Sequence, residues 1–198
     1  YEMYTKLNSS ERDKYVGIPS GISTLDAVTT GLNRSDLIIV GARPGMGKTS
    51  FILNIARNVA VQQNRTVAIF NLEMSREQMV NRLLSGEARV PSKNLRTGML
   101  SPDEWQRLGT GSSILCKAPI YLDETATITV PEMKARLRRL KNLSFVVVDY
   151  LQLMHGAKKT DNRVQEVSEI TRSLKIMAKE LDVPVMVAAQ LSRSPEKQ

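Results

Sequence analysis

Two stretches of this chain carry residue types whose spacing suits a phosphate group and a divalent metal ion. The first is Gly41-Ala42-Arg43-Pro44-Gly45-Met46-Gly47-Lys48-Thr49-Ser50, which follows the apolar run Leu37-Ile38-Ile39-Val40 and leads into a helical pattern. Strand, glycine-rich loop and helix in that order make the setting a P-loop needs. Gly45 and Gly47 let the backbone close around phosphate oxygens with successive N–H groups pointing inward. The helix that starts there presents its positive end to the same anion. Lys48 supplies a point charge for the β- and γ-phosphates, and Thr49 a hydroxyl for Mg²⁺. Ala42 to Ser50 is therefore the expected cradle for a nucleoside triphosphate. The strict pattern has glycine where this chain has Ala42, and alanine fits there if its φ is negative.

The second stretch, Phe145-Val146-Val147-Val148-Asp149, is an apolar strand ending in a carboxylate. This is the form of a Walker B element, so Asp149 joins Thr49 as an expected metal-binding residue. Hydrolysis also needs a carboxylate that orients or deprotonates the attacking water. Tyr150 follows Asp149, so that group is not adjacent to the metal-binding acid. Glu73, just beyond the strand run Val67–Phe70, is the candidate; it reads equally as an acidic residue favoured near the start of the next helix. Gln190 ends another strand run and reads either as a sensor of the γ-phosphate or as an ordinary polar strand end.

These residues need a scaffold that brings strand ends together. Apolar β-rich runs at Leu37–Val40, Val67–Phe70, Ile120–Leu122, Phe145–Val148 and Val185–Ala189 alternate with helical patterns at Thr49–Val61, Ser75–Glu87, Pro131–Leu140 and Val164–Leu181. In the last pattern Val167, Ile170, Leu174, Met177 and Leu181 fall on one face. Continuous apolar strands alternating with amphipathic helices predict an α/β fold, a mostly parallel sheet with helices on both faces. Ligands of such sheets sit beyond the carboxyl ends of the strands. Residues 1–16 are polar and read as a linker segment, with Gly17-Ile18-Pro19-Ser20-Gly21 opening the compact domain.

The 198 residues suffice for one domain, and 41% of them are apolar with few aromatics, so the core should be mainly Leu, Ile, Val, Met and Ala. A net charge of +8 favours a polyanionic partner. No apolar run approaches the roughly 20 residues of a membrane span, and the N-terminal residues lack a signal-peptide core; a cytoplasmic setting and no membrane partner are expected. Cys116 is the only cysteine, which excludes an internal disulfide. With the single His155 it is too little for a zinc site; the pair reads as a buried thiol and a surface imidazole.

The strings GIPSG with Leu25-Asp26, ARPGMGKT, NLEMS, VVVDYLQLM, KELDVPV and AAQLSRS occur in an order that resembles the replicative DnaB-type hexameric helicases. The similarity runs from about Gly17 to Ser194 and covers the N-terminal part of their RecA-like motor domain. The family carries alanine at the position of Ala42. The resemblance implies ATP and Mg²⁺ as cofactors, Glu73 as the catalytic glutamate, Asp149 as the Walker B acid and Gln190 as the coupling residue of the sensor strand. It implies a homo-oligomer, a hexameric ring with ATP between subunits and single-stranded DNA in its channel. A primase and a helicase loader are candidate partners. The family's chain continues past the equivalent of Arg193 to a basic finger that completes the neighbour's ATP site. Residues 17–198 are thus expected to be a motor domain truncated at its C-terminal side, weak in turnover by itself, since such a finger contributes on the order of 10³–10⁵ in rate in related enzymes.

For DNA, the basic loop after the Walker B strand (Lys158, Lys159 and Arg163) and Arg193 beyond the sensor strand are candidate backbone contacts. A solvated loop is the competing reading for each. The helical cluster Lys134, Arg136, Arg138, Arg139 and Lys141 reads as a solvated or subunit-facing surface. A RecA- or RadA-like recombinase filament and a KaiC-like nucleotide-dependent scaffold are the alternative functions. The ARPGMGKT and DYLQLM strings argue against the recombinase.

Overall fold

The five apolar runs form strands β1 (Leu37–Ala42), β2 (Thr66–Asn71), β3 (Ile120–Asp123), β4 (Leu143–Asp149) and β5 (Val185–Gln190) in a computed structural model that describes residues 16–149, 151, 154 and 163–191. All pairings are parallel, in the order β1-β5-β4-β2-β3. The helices are α1 (Ser23–Thr29), α2 (Lys48–Arg57), α3 (Arg76–Ala88), α4 (Ser92–Thr97), α5 (Pro102–Lys117), α6 (Val130–Leu137) and α7 (Arg163–Leu181). The linker segment, apart from Val16, lies outside the described residues.

Both faces of the sheet are covered, which is why its strands read as unbroken apolar runs. Alternate residues serve opposite layers. Val67, Ile69, Phe145, Val147, Met186 and Ala188 pack with Ile52 and Ile55 of α2. Ala68, Phe70, Val146, Val148, Val185 and Val187 pack with Met133 and Leu137 of α6 and with Ile170, Leu174 and Met177 of α7. The one-sided spacing of α7 is thus explained, with Val167 and Leu181 at the margins of the same cluster.

Two features depart from expectation. The helix after the P-loop is not uniform: α2 passes into a π-helical stretch, Asn58–Gln62. There the buried Asn58 donates from Nδ2 to the Ser20 carbonyl (3.1 Å) and accepts at Oδ1 from Arg57 (2.9 Å). Gly21, with φ of +79°, lies so close that a Cβ on it would sit 2.4 Å from Asn58 Nδ2. The Gly17–Gly21 punctuation is therefore a strap clamped to the far end of the P-loop helix. The second departure is residues 92–117, where the sparse apolar pattern, broken by Gly98, Gly109 and Gly111, suggests no element, yet α4 and α5 form beside α3. Gly111 is used for contact: a Cβ there would meet Ala88 at 3.2 Å. A reciprocal cap starts α5, Ser101 Oγ accepting from Glu104 N (3.2 Å) and the Glu104 carboxylate accepting from Ser101 N (2.9 Å). Cys116, expected to be buried, is exposed instead; its neighbour Leu115 takes the inward position.

Phe145, fully buried on β4, is the largest side chain in the layer beneath α2. Phe145→Ala should cost about 3–5 kcal/mol of unfolding free energy, measurable as a lowered urea midpoint. A loss below about 1 kcal/mol would show that this layer collapses around the gap.

Candidate functional site

The cradle forms where β1 ends and α2 begins. Gly45 and Gly47 have φ of +79° and +82°, a left-handed backbone that glycine adopts without cost. Ala42 is absent from the positive-φ residues, so alanine there is unstrained, as its place at the end of β1 requires. Gly47 caps α2, and the Phe51 N–H donates to its carbonyl at 2.9 Å. The first turn of α2 thus leaves its N–H groups directed at the loop.

Strand phase decides what faces this loop. Asn71 is the register partner of Asp149, and Ala42 of Gln190. Asn71 and Asp149 continue the odd-numbered series of β2 and β4 and so emerge on the α2 side. There the Thr49 hydroxyl donates to Asp149 Oδ2 at 2.7 Å, and Lys48 Nζ lies 3.7 Å from Asp149 Oδ1. The Asp149 side chain is only 2% exposed, and its Oδ1 is buried without a hydrogen bond. Asn71 shapes the next turn: its Oδ1 accepts from the N–H groups of Glu73 (2.9 Å) and Met74 (2.7 Å). α3 then starts with a capping box at Ser75 and Gln78, and the Glu124 carboxylate, just past β3, accepts from Arg76 N at 2.7 Å.

These parts border one cavity of about 1140 Å³, whose walls include Ala42–Gly45, Gly47–Ser50, Glu73 and Gln190 and which extends between α2 and α3 to Arg82 and to Arg96 of α4. Lys48, Thr49, Glu73 and Gln190, far apart in sequence, are thus brought together, with Asp149 beneath them. Met46 is the exception in the cradle, 74% exposed and not on the cavity wall. Asn71 and the distal polar wall were not anticipated. An asparagine ending a strand just before a turn is the signal that marks Asn71.

Among the described residues no three His, Cys, Asp or Glu side chains form a metal cluster. One carboxylate and one hydroxyl beside a phosphate cradle form the sparse oxygen set that suits Mg²⁺, which keeps waters and shares substrate oxygens. The unbonded Asp149 Oδ1 fits that ion.

Lys158, Lys159 and Arg193 lie outside the described residues, and Arg163 is described only as the first residue of α7. Three cations of the basic cluster at α6 are engaged within the chain. Lys134 and Arg138 pair with Glu180 of α7, and Arg136 pairs with Asp123 and bonds Thr125 Oγ1. Burial works to raise the pKa of Asp123, but hydrogen bonds from Thr125 and Arg136 outweigh it and hold the carboxyl below its usual range.

The DnaB-like helicase C terminal domain family matches residues 17–198. The chain belongs to that family. The replicative DNA helicase DnaB of Geobacillus stearothermophilus is 52% identical over 185 residues, covering 91% of this chain and 41% of that protein. The replicative DNA helicase DnaC of Bacillus subtilis (strain 168) is 47% identical over 201 residues, covering 100% of this chain and 44% of that protein. Among solved structures, a DnaB-like replicative helicase described with its interactions with primase aligns with a TM-score of 0.88 at 31% identity, covering 97% of this chain and 47% of its own. A second solved structure, an ATPase domain, aligns with a TM-score of 0.89 at 31% identity, covering 97% of this chain and 69% of its own. The chain therefore spans less than half the length of the two curated relatives, and its fold is the RecA-like P-loop ATPase fold of the DnaB-like family.

Because Arg136 of this family member is committed to Asp123, Arg136→Ala should lower stability by about 1 kcal/mol or less, the pair being partly solvated. Asp123 is held low in the folded state, so this contribution is complete above the ordinary carboxylate range and is lost as pH falls below it through the depressed folded pKa. Thermal melts of both proteins at neutral and acidic pH should converge in acid. A constant gap would mean that Arg136 acts through packing alone.

Proposed function

We propose that this chain is the ATP-hydrolysing motor segment of a replicative DNA helicase, coupling turnover to translocation on single-stranded DNA and duplex unwinding. One observation carries the reading: the phosphate cradle, the Asp149–Thr49 pair and Glu73 converge at the carboxyl ends of β1, β4 and β2 around one cavity. Backbone N–H groups of the loop and the Lys48 ammonium hold the β- and γ-phosphates. Thr49 and Asp149 would hold Mg²⁺, which supplies charge neutralisation on those phosphates. Glu73, on the wall of the same cavity, orients the attacking water and accepts its proton. Gln190, on the strand beside β1, lies where a side-chain amide can report the γ-phosphate to residues that follow β5.

The neighbouring subunit of a hexameric ring supplies the rest of the site, consistent with a cavity open along α2 and α3. The net charge of +8 suits a nucleic-acid partner, with Lys158, Lys159, Arg163 and Arg193 as proposed backbone contacts. A primase, named with one structural neighbour, and a loader are the proposed protein partners, and the cytoplasm is the proposed location. No helix among the described residues is long and apolar enough to cross a membrane. A recombinase or a nucleotide-dependent scaffold would use the same cradle, and electron microscopy with ATP and single-stranded DNA separates closed rings from filaments.

Lys48→Ala in the complete protein should abolish ATP-dependent unwinding of a forked duplex; robust unwinding by the variant overturns the motor assignment. Glu73→Gln should retain nucleotide binding while turnover falls about 10²–10⁴-fold, the range of general-base contributions. Unchanged turnover would move that role to another residue.

A further inference from the structure

Asn71 ends β2, is 1% exposed, and uses only half of its side chain within the described structure. Its Oδ1 accepts two backbone N–H groups, from Glu73 and Met74. These bonds fix the orientation of the amide, because a flip would set its NH₂ against two donors. The NH₂ is then turned away from the bend, and Nδ2 is buried with no hydrogen-bond partner. Asn71 pairs in register with Asp149 on the neighbouring strand, and paired residues of parallel strands project to the same face. The other buried side-chain atom without a hydrogen bond, among the described residues, is Asp149 Oδ1.

An unsatisfied donor and an unsatisfied acceptor therefore lie on adjacent strands, under the cradle, and do not bond each other. Leaving a buried polar group unmatched costs stability, a penalty that an apolar residue at position 71 would avoid. A polar residue needed only to form the turn could also be a serine, with one O–H donor to bury in place of an NH₂.

We propose that Asn71 is a positioning residue with two tasks. Its Oδ1 sets the bend that delivers Glu73 to the cavity. Its Nδ2 donates to a water oxygen in the hydration shell of the Mg²⁺ held beside Asp149. The acceptor is a metal-bound water rather than the γ-phosphate because Asn71, like Asp149, lies beneath the cavity wall and not on it. This inference rests on the Mg²⁺ site proposed above and does not require Glu73 to be the base. Groups that orient a metal's ligands from outside its first shell typically contribute 10–100-fold in metal affinity.

The test is Mg²⁺ titration of the complete protein with a fluorescent ATP analogue, reading nucleotide binding rather than turnover. Asn71→Ala should raise the Mg²⁺ concentration for half-maximal tightening roughly ten-fold with affinity in EDTA little changed, and its melting temperature should fall because the N–H groups of Glu73 and Met74 lose their acceptor. Asn71→Ser keeps an acceptor for the bend but lacks the reach of Nδ2. It should fold like the parent, recover turnover relative to Asn71→Ala, and still need more Mg²⁺. A parental Mg²⁺ requirement in Asn71→Ser overturns the proposal, as does equal weakening with and without Mg²⁺ in either variant. An ADP analogue checks the source of the oxygen: the same Mg²⁺ shift with ADP supports a metal-bound water, and a shift confined to ATP overturns it in favour of the γ-phosphate. Asp149→Asn run in parallel tests the underlying reading: if it leaves Mg²⁺ dependence unchanged, the metal site itself is elsewhere.

Discussion

The carboxylate of Asp149 is buried at the end of the central strand, where a charge taken from water costs several kcal/mol unless it is compensated. Compensation comes from α2: the Thr49 hydroxyl bonds Oδ2 at 2.7 Å, and the Lys48 ammonium lies 3.7 Å from Oδ1. This contact ties the start of the P-loop helix to β4 across 100 residues of sequence. Through it the cradle, the metal-binding pair and the sheet act as one unit. The apolar layer of Phe145, Val147, Ile52 and Ile55 beneath it excludes water and holds α2 at the height where those bonds form.

Parallel pairing carries that arrangement sideways. Each strand delivers its last side chain to the same edge, and phase alternation chooses the face. Asn71 stands beside Asp149 and Gln190 beside Ala42. The chemistry is therefore spread over four strand ends rather than one loop, and a one-residue slip in any register would turn a functional group to the opposite layer. The bend after β2 is held from two sides, by Asn71 at its start and by the Ser75–Gln78 cap and Glu124 at the head of α3.

The remaining elements brace this edge. The strap at Gly17–Gly21 grips the far end of α2 through Asn58, and the π-helical stretch there is the local adjustment that presents the Asn58 amide to the Ser20 carbonyl. Three cations of the basic cluster, Lys134, Arg136 and Arg138, are engaged by Asp123 and Glu180, so part of the positive charge of that surface is matched within the chain. The cavity wall formed by α3 and α4 keeps Arg82 and Arg96 facing the space that leads away from the cradle.

Local sequence determined the strands and the glycine-rich loop that leads into Lys48 and Thr49, because unbroken apolar runs and left-handed glycines are short-range requirements; Gln190 was legible only as a polar strand end. All five expected strand cores lie within β1 to β5. Glu73 was legible as a residue beyond a strand but not as a group lining the cavity, since that depends on the turn that Asn71 builds. α4 and α5 are not legible in the local pattern, because their apolar positions are sparse and Gly111 of α5 is explained only by its close approach to Ala88 of α3. The exposure of Cys116 and the pairing of the α6 cations also depended on neighbours distant in sequence. Tertiary structure alone decided the strand order and register, and with them the placement of Asn71 beside Asp149, because the pairing of parallel strands is a long-range choice that no local pattern encodes.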